Sequence, residues 1–464
     1  MRKCLWLTVP GALIVSVFLS AFLFRSSAVS SPNILFIMAD DLGYGDVSAY
    51  RASGGAADVQ TPHIDSILNA GIRFTNFYAN SPVCSPSRAA LLSGRWPERV
   101  GVPGVIRDEV WDSWGYLAPG LLLPDYLRKA GYHTALVGKW HLGLESPNLP
   151  NERGFDEFYG LLEGMMDDYT AKRRHNQNFL RHNRQTIDPP GHATDVFTDE
   201  AIRYLNGRKS ARKPYFLYLA YTAPHDPLQP PAAFLERVRQ RNPNGDPQRA
   251  KLIALIEHMD VCIGRVLATL KANGQLQNTL IVFTSDNGGW GPGKASNGPF
   301  RGVKGQLYEG GIRIPAGVCW PGKIAPNQLS DTRLQLMDWM PTFLELSGTR
   351  AAPPVDARSF LTVLTGQESA RSESAGLESR PLFFVRREGQ DTYKGLAVQA
   401  VRLGDWKLLQ PTPFSPYELY NLRNDPKETT NLVNEEKSKR DELVKLLMEH
   451  IRRGGAVPWQ KNSD

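Results

Sequence analysis

The chain has 464 residues, with 54 Lys and Arg against 47 Asp and Glu, four cysteines and a hydrophobic fraction of 41%. This composition suits a well-cored globular protein and excludes a disordered, fibrous or disulfide-scaffolded one. The formal charge of +7 falls to +4 without Arg2, Lys3 and Arg25, which is too little to name a nucleic-acid partner.

Arg2 and Lys3 precede an apolar run over residues 5–24, followed by Arg25 and the small residues 26–30. That is the pattern of a secretory signal peptide over residues 1–30. The apolar run is long enough that an uncleaved N-terminal anchor stays open, and only then is a membrane a partner. Pro10, Ser16 and Ser20 favour cleavage, so the expected location is exported, periplasmic or extracellular. Cys84, Cys262 and Cys319 then remain, an odd number that requires a special fate for at least one thiol in an oxidising compartment.

Further along, apolar runs at 33–38, 133–137, 215–221, 279–284 and 314–320 read as strands. They are continuous rather than alternating, as strands covered on both faces are. Helical patterns lie between them. Thr61-Pro62 opens one with the stripe Ile64, Ile67 and Leu68, residues 121–130 end at Gly131, and residues 249–271 are long and amphipathic. The alternation predicts an α/β fold with a doubly wound, mostly parallel sheet. After Gly348 the texture changes: residues 351–354 and 366–379 read as linkers or loops. Strand-like pieces follow at 381–386, 396–402 and 406–409, then a charged helix at 435–452 with Leu443, Leu446, Leu447 and Ile451 on one side. The expected division is a signal segment over 1–30, a catalytic domain over 31–348, and a small C-terminal antiparallel sheet plus helix over 349–464.

The reactive side chains fall directly after the predicted strands: Asp40-Asp41, Lys139-Trp140-His141, His225 and Asp286-Asn287. In open α/β sheets the ligand crevice lies at the carboxyl ends of the strands. Asp40, Asp41, Asp286 and Asn287 offer only oxygen ligands and suit a hard cation, Ca²⁺ or Mg²⁺; no His or Cys cluster is spaced for zinc. In the segment 84–94, Pro86 favours a helix start and Gly94 a stop, so Cys84 sits at a helix N-terminus that favours an anion.

Cys84-Ser-Pro86-Ser87-Arg88, followed by Ala-Ala-Leu-Leu-Ser-Gly94, resembles the signature of the type I sulfatases. The resemblance runs from Ser31 to about Leu432. It takes in Ala39-Asp40-Asp41-Leu42-Gly43, Gly138-Lys139-Trp140-His141-Leu142-Gly143, Asn151-Glu152-Arg153-Gly154-Phe155-Asp156 and Thr284-Ser285-Asp286-Asn287-Gly288. Lys304 with Glu309-Gly310-Gly311, Gly404-Asp405-Trp406-Lys407 and Glu418-Leu419-Tyr420-Asn421-Leu422 complete it in the same order. The resemblance implies an alkaline-phosphatase-like fold and a sulfuric ester hydrolase. It also implies that a dedicated enzyme oxidises Cys84 to Cα-formylglycine, whose gem-diol attacks sulfur. By the same resemblance Asp40, Asp41, Asp286 and Asn287 hold Ca²⁺ together with an oxygen at position 84. Arg88 orients that residue, Lys139 binds sulfate, His141 takes the diol proton, and His225 and Lys304 face the leaving oxygen. Five potential cations would then meet three carboxylates. If the extended chain continues past residue 139, Lys139 and His141 point to one face.

The substrate expected is a sulfated sugar or an aryl sulfate. The stretch Asn297-Gly-Pro-Phe-Arg301 with Glu309-Gly-Gly311 looks most like the N-acetylgalactosamine-6-sulfatase and bacterial arylsulfatase-A-like branches. The basic insertion with Lys172, Arg173, Arg174, His175, Arg181, His182 and Arg184 is either a solvated loop or a reader of further acidic groups. Trp111, Trp114 and Tyr116 are candidates for a sugar-stacking wall or for ordinary packing. Two alternatives stay open: a formylglycine-dependent phosphodiesterase or phosphonate monoester hydrolase, and an inactive sulfated-glycan binder.

Overall fold

The run Asn-Ile-Leu-Phe-Ile-Met-Ala forms β1 (Asn33–Ala39), and its alternating side chains enter two separate cores. Leu35, Ile37 and Ala39 join one apolar cluster, while Ile34, Phe36 and Met38 join another, all six fully buried. A strand covered on both faces has no polar side to show, which is why its sequence is continuously apolar. The computed structural model describes Met1 and residues 31–107, 117–349, 353–366, 376–388 and 395–454. The expected signal segment, the aromatics Trp111, Trp114 and Tyr116, and parts of both linker stretches lie outside the described residues. Among the described residues, no helix is long and apolar enough to cross a membrane.

After β1, the strands in chain order are β2 (Ile72–Phe74), β3 (Phe77–Tyr78), β4 (His133–Lys139), β5 (Glu157–Leu161), β6 (Leu180–His182), β7 (Gln185–Thr186), β8 (Tyr215–Ala220), β9 (Thr279–Ser285), β10 (Ala316–Cys319), β11 (Gln328–Ser330) and β12 (Leu334–Gln335). All but β3 and β12, which pair with each other, form one sheet ordered β11-β2-β10-β9-β1-β8-β4-β5-β6-β7. Its middle, β9-β1-β8-β4-β5, is parallel throughout. The expected strand at 314–320 is present as β10, but it runs antiparallel to both β9 and β2. The basic insertion is not a plain loop: part of it forms the antiparallel pair β6 and β7 beside β5.

Helices cover both faces. The helices α1 (Pro62–Asn69), α4 (Ala193–Gly207) and α6 (Pro247–Ala272) supply Ile64, Phe197 and Ile256 to the first cluster. On the other face, α2 (Cys84–Ser93), α3 (Leu123–Lys129) and α8 (Trp339–Leu346) supply Leu91, Leu127 and Trp339. Between these lie the surface helix α5 (Ala232–Arg241) and the single turn α7 (Glu309–Ile312). Asp246, whose carboxylate accepts the N–H groups of Gln248 and Arg249, caps α6. That cap starts the helix slightly before the amphipathic pattern does.

The C-terminal strands β13 (Leu382–Arg387), β14 (Ala397–Leu403), β15 (Trp406–Gln410) and β16 (Glu418–Asn421) form an antiparallel meander. It too is covered twice. Leu382 and Phe384 pack toward Leu307 and Ile312, whereas Phe383 packs with Leu443 and Leu447 of the terminal helix Lys437–Gly454. A buried ion cluster joins this sheet to α7. Glu309 and Lys407 are both fully buried, with Lys407 Nζ 3.0 Å from Glu309 Oε1 and 2.8 Å from Glu428 Oε1. Burial would raise the Glu309 carboxyl, but Lys407, Arg402 and Arg313 outweigh it and bring it to about 2.

Candidate active site

Register brings the reactive residues together. Ala39 lies opposite Ser285, while Met38 and Gly138 both lie opposite Ala220. Strands β9, β1, β8 and β4 therefore end side by side. Asp40 and Asp41 follow β1, Asp286 and Asn287 follow β9, Lys139 closes β4, and His225 lies a short way beyond β8.

Helix α2 adds Cys84 and Arg88 from a second direction. All ten of its residues are buried, and Gly94 ends it at φ 63° with its N–H on the carbonyl of Ala90. Val83 offers no side-chain cap, so the positive end of the helix is left facing Cys84.

The contacts are short and mutual. Cys84 Sγ is 3.4 Å from Asp40 Oδ1 and 4.0 Å from Asp41 Oδ1. Lys139 Nζ donates to Asp40 Oδ2 at 2.6 Å. Arg88 donates to Asp286 Oδ2 through Nε at 3.1 Å and Nη2 at 2.8 Å. Lys304 Nζ donates to Asp41 Oδ2 at 2.7 Å and lies 3.0 Å from His225 Nε2. Asn287 Nδ2 donates to Asp41 Oδ1 at 2.8 Å. All ten residues singled out in the sequence lie in this centre or on the pocket it floors; His141 reaches it through the pocket wall.

Charge is nearly balanced. Burial raises the Asp40 carboxyl, but Lys139, His225 and Arg88 together hold it below the ordinary range. Asp41 is likewise held low, Lys304 and His225 outweighing burial. Asp286 is pushed up by burial and by the charge of Asp40. Both histidines are held low, His141 by burial, Lys139 and Arg88, and His225 by burial and Lys304. Of the five potential cations, Arg88, Lys139 and Lys304 face the three carboxylates as charges, while the surroundings of His141 and His225 disfavour their charged forms. Burial also pushes the Cys84 thiol up, so as a cysteine it is a neutral S–H.

Backbone partners fix the tautomers. His141 Nε2 lies 2.7 Å from the carbonyl oxygen of Ile106, which makes Nε2 the donor. Its Nδ1 then carries the lone pair, and that atom is buried with no hydrogen-bond partner. His225 Nδ1 lies 2.7 Å from the carbonyl of Asp226, so its Nε2 accepts from Lys304. His141 has φ 60°, so the extended chain stops before it; the ring reaches the pocket through a left-handed residue rather than by strand alternation. Gly164 lets it fit: a Cβ there would come within 2.3 Å of His141 Nε2.

The residues present fit a hard divalent cation. The donor set after β1 and β9 is all oxygen, the Asp40 and Asp286 carboxylates repel each other, and Asn287 Oδ1 is a buried acceptor without a partner. The ligating atoms of Asp40 and Asp41 lie within 4.8 Å of each other and of Cys84 and His225, a cluster that does not include Asp286.

A pocket of about 400 Å³ opens over Cys84, His141, His225 and Lys304. Sequence reasoning missed much of its wall: Arg107, Glu163, Trp290 and Arg386 line it, and no local motif marks them. Of the basic insertion, only Arg174 lines the pocket. Lys172 donates to the carbonyls of Thr170 and Gly191, Arg173 pairs with Asp188, and Arg184 pairs with Glu152.

Residues 32–349 match the family model described as Sulfatase, and residues 303–454 match one described as N-sulphoglucosamine sulphohydrolase, C-terminal. The N-acetylgalactosamine-6-sulfatase of Mus musculus is 33% identical over 419 residues, covering 83% of this chain and 73% of that protein. The Homo sapiens N-acetylgalactosamine-6-sulfatase is 33% identical over 82% of this chain and 72% of its own length. Among solved structures, Ps i-CgsB in complex with k-i-k-neocarrahexaose superposes with a TM-score of 0.82 at 28% identity, covering 94% of this chain and 96% of that one.

Proposed function

The chain belongs to the sulfatase family and hydrolyses sulfuric esters, and from that premise we propose that it desulfates a saccharide using formylglycine made from Cys84 beside a calcium ion. The observation that carries this reading is the meeting of Cys84 with three carboxylates, the buried Arg88 and Lys139, and the half-buried Lys304 at the floor of one pocket. The relatives named N-acetylgalactosamine-6-sulfatase, and the structure solved in complex with k-i-k-neocarrahexaose, support a sugar as the alcohol half of the ester. The signal-peptide pattern of residues 1–30 supports export.

Asp40, Asp41, Asp286 and Asn287 would hold the calcium, magnesium being the smaller alternative. Bound there, the cation would lower the energy of negative charge on an oxygen at position 84 and on sulfate. Hydrated formylglycine would supply the attacking oxygen, which departs with sulfate when its C–O bond breaks, and a second hydroxyl whose deprotonation re-forms the aldehyde. Every other part falls to this chain's own side chains. Arg88 and Lys139 keep positive charge in a dry site, where it is worth far more than in water. His141 Nδ1, with its lone pair left open by the Ile106 carbonyl, takes the proton from residue 84. Lys304 Nζ and His225 Nε2 share one proton at 3.0 Å, placed for delivery to the leaving oxygen.

Mass spectrometry of the residue-84 peptide from active protein tests the reading: an aldehyde is expected, and an unmodified thiol in an active preparation would sink it. Comparative turnover of an aryl sulfate and an aryl phosphate diester sets the reaction class, and a preference for the diester would overturn the sulfate assignment.

Two further outcomes are expected. Lys304→Ala should slow esters of poor leaving alcohols roughly 10²–10⁴-fold while sparing activated aryl sulfates; a leaving-group series measures it. Gly164→Ala should displace the His141 ring and lower kcat about 10²-fold with little change in melting temperature.

A further inference from the structure

The reaction as proposed leaves the outer wall of the pocket without a role. Three guanidinium groups line that wall, each from a different stretch of chain: Arg107 after α2, Arg174 in the basic insertion and Arg386 in β13. All three are held in place. Arg386 Nε donates to Glu388 Oε1 at 3.0 Å, and its Nη1 donates to the carbonyl of Gly305 at 3.1 Å. Arg107 Nη1 donates to the other oxygen of the same carboxylate at 2.9 Å, and Glu388 is only 3% exposed. Arg174 Nη1 donates to Asp167 Oδ1 at 2.7 Å. Arg107 and Arg386 are thus positioned by one buried carboxylate, whereas Arg174 and Asp167 are partly exposed, and a guanidinium fork suits two oxygens of one oxyanion.

The same pocket is also lined by the apolar and aromatic Val105, Met165 and Trp290. Trp290 is itself backed by Gly293, where a Cβ would come within 2.7 Å of the indole Cε3. A flat, packed indole beside the Lys304–His225 pair suits the face of a sugar ring. The two carboxylates on the wall are placed differently. Asp226 follows His225 in the chain, and Glu163 precedes Gly164, which abuts His141; Glu163 Oε2 accepts the N–H of Met165 at 2.8 Å.

We propose that Arg386, positioned by Glu388 in company with Arg107, is a specificity-determining residue that binds a second oxyanion of the substrate, so that the enzyme selects a saccharide carrying another sulfate or carboxylate near the scissile ester. The inference rests on the sulfatase reading and deepens it, making the C-terminal sheet part of substrate recognition. The second oxyanion contributes binding rather than chemistry, so its loss appears in KM.

The test compares the formylglycine-bearing wild type with Arg386→Ala and Arg386→Lys on four substrates: an aryl sulfate, a monosulfated saccharide, its disulfated counterpart and a monosulfated saccharide carrying a uronic acid. In wild type, the disulfated or the uronic acid substrate is expected to have the lower KM, and which of the two does identifies the oxyanion. Arg386→Ala should raise that KM roughly 10–100-fold, the range of a charge-assisted pair, with kcat kept. Turnover of the aryl sulfate should stay within about threefold. Arg386→Lys keeps the charge without the fork and should recover only part of the loss, which preserves a readout if the alanine variant folds poorly. Equal losses on all four substrates would make Arg386 a structural pin for Gly305 and Lys304 and overturn the proposal. Equal wild-type KM values for the singly and doubly charged saccharides would overturn it while leaving the sulfatase reading standing. A wild type inert on all four substrates would sink both.

Discussion

Cys84→Ala is expected to give a folded protein whose sulfatase turnover drops by about 10⁴-fold or more, on the scale seen when a covalent nucleophile is removed. The fold should tolerate the change. The alanine side chain is contained within that of cysteine, α2 keeps its buried face, and no disulfide is lost, since Cys84, Cys262 and Cys319 are all unpaired. What disappears is the thiol through which the modifying enzyme converts Cβ to the aldehyde, whose hydrate carries the attacking oxygen. Circular dichroism and melting temperature check the fold, and steady-state turnover of an aryl sulfate checks the chemistry. Activity within tenfold of wild type would place the nucleophile elsewhere in the pocket.

The second large effect concerns stability. Lys407→Met should lower folding stability by about 3–5 kcal/mol, the cost of removing one partner from a buried ion pair. Lys407 Nζ lies 3.0 Å from Glu309 and 2.8 Å from Glu428, and all three groups are buried. Without the ammonium, Glu309 keeps Arg313, Arg402 and Tyr78, but Glu428 loses its cation. The double variant Lys407→Met/Glu428→Gln should recover part of the loss, because it removes the orphaned charge. Denaturant unfolding measures both. A loss below about 1 kcal/mol in the single variant would show that solvent reaches the cluster.

The part of this molecule that could be read from its sequence follows physical rules. Five apolar runs give the strands because burial on both faces leaves no room for polar alternation. Asp40, Asp41, Asp286 and Asn287 stand out because charged residues directly after such runs are costly unless they meet a ligand. The small strands were harder. Residues 72–74 and 157–161 are short and partly polar, and residues 418–421 are a strand only because β15 offers a partner. Lys139 and His141 share a face only if the chain stays extended, and it does not: His141 turns at φ 60°, with its ring against Ile106 and Gly164. Arg386 carries no signal in its neighbours. Its place on the pocket wall depends on how the C-terminal sheet docks against residues 103–107, where Arg387 N donates to the carbonyl of Pro103. The basic insertion shows the reverse: a charge run that looked like one feature is spent mostly on its own hairpin and loop.

One consequence of the sheet order concerns time rather than space. Strands β1 and β9 are neighbours, yet Asp41 and Asp286 are 245 residues apart along the chain. The first carboxylates of the proposed cation site to leave the ribosome therefore wait for most of the polypeptide before their partners exist. Pairing at such separation is slow, because loop closure must be met before contact rewards it. Until β9 docks, Asp40 and Asp41 have neither Arg88–Asp286 nor Asn287 beside them. Recovery of activity on refolding should thus lag behind recovery of helical signal and report the arrival of β9 at the centre of the sheet.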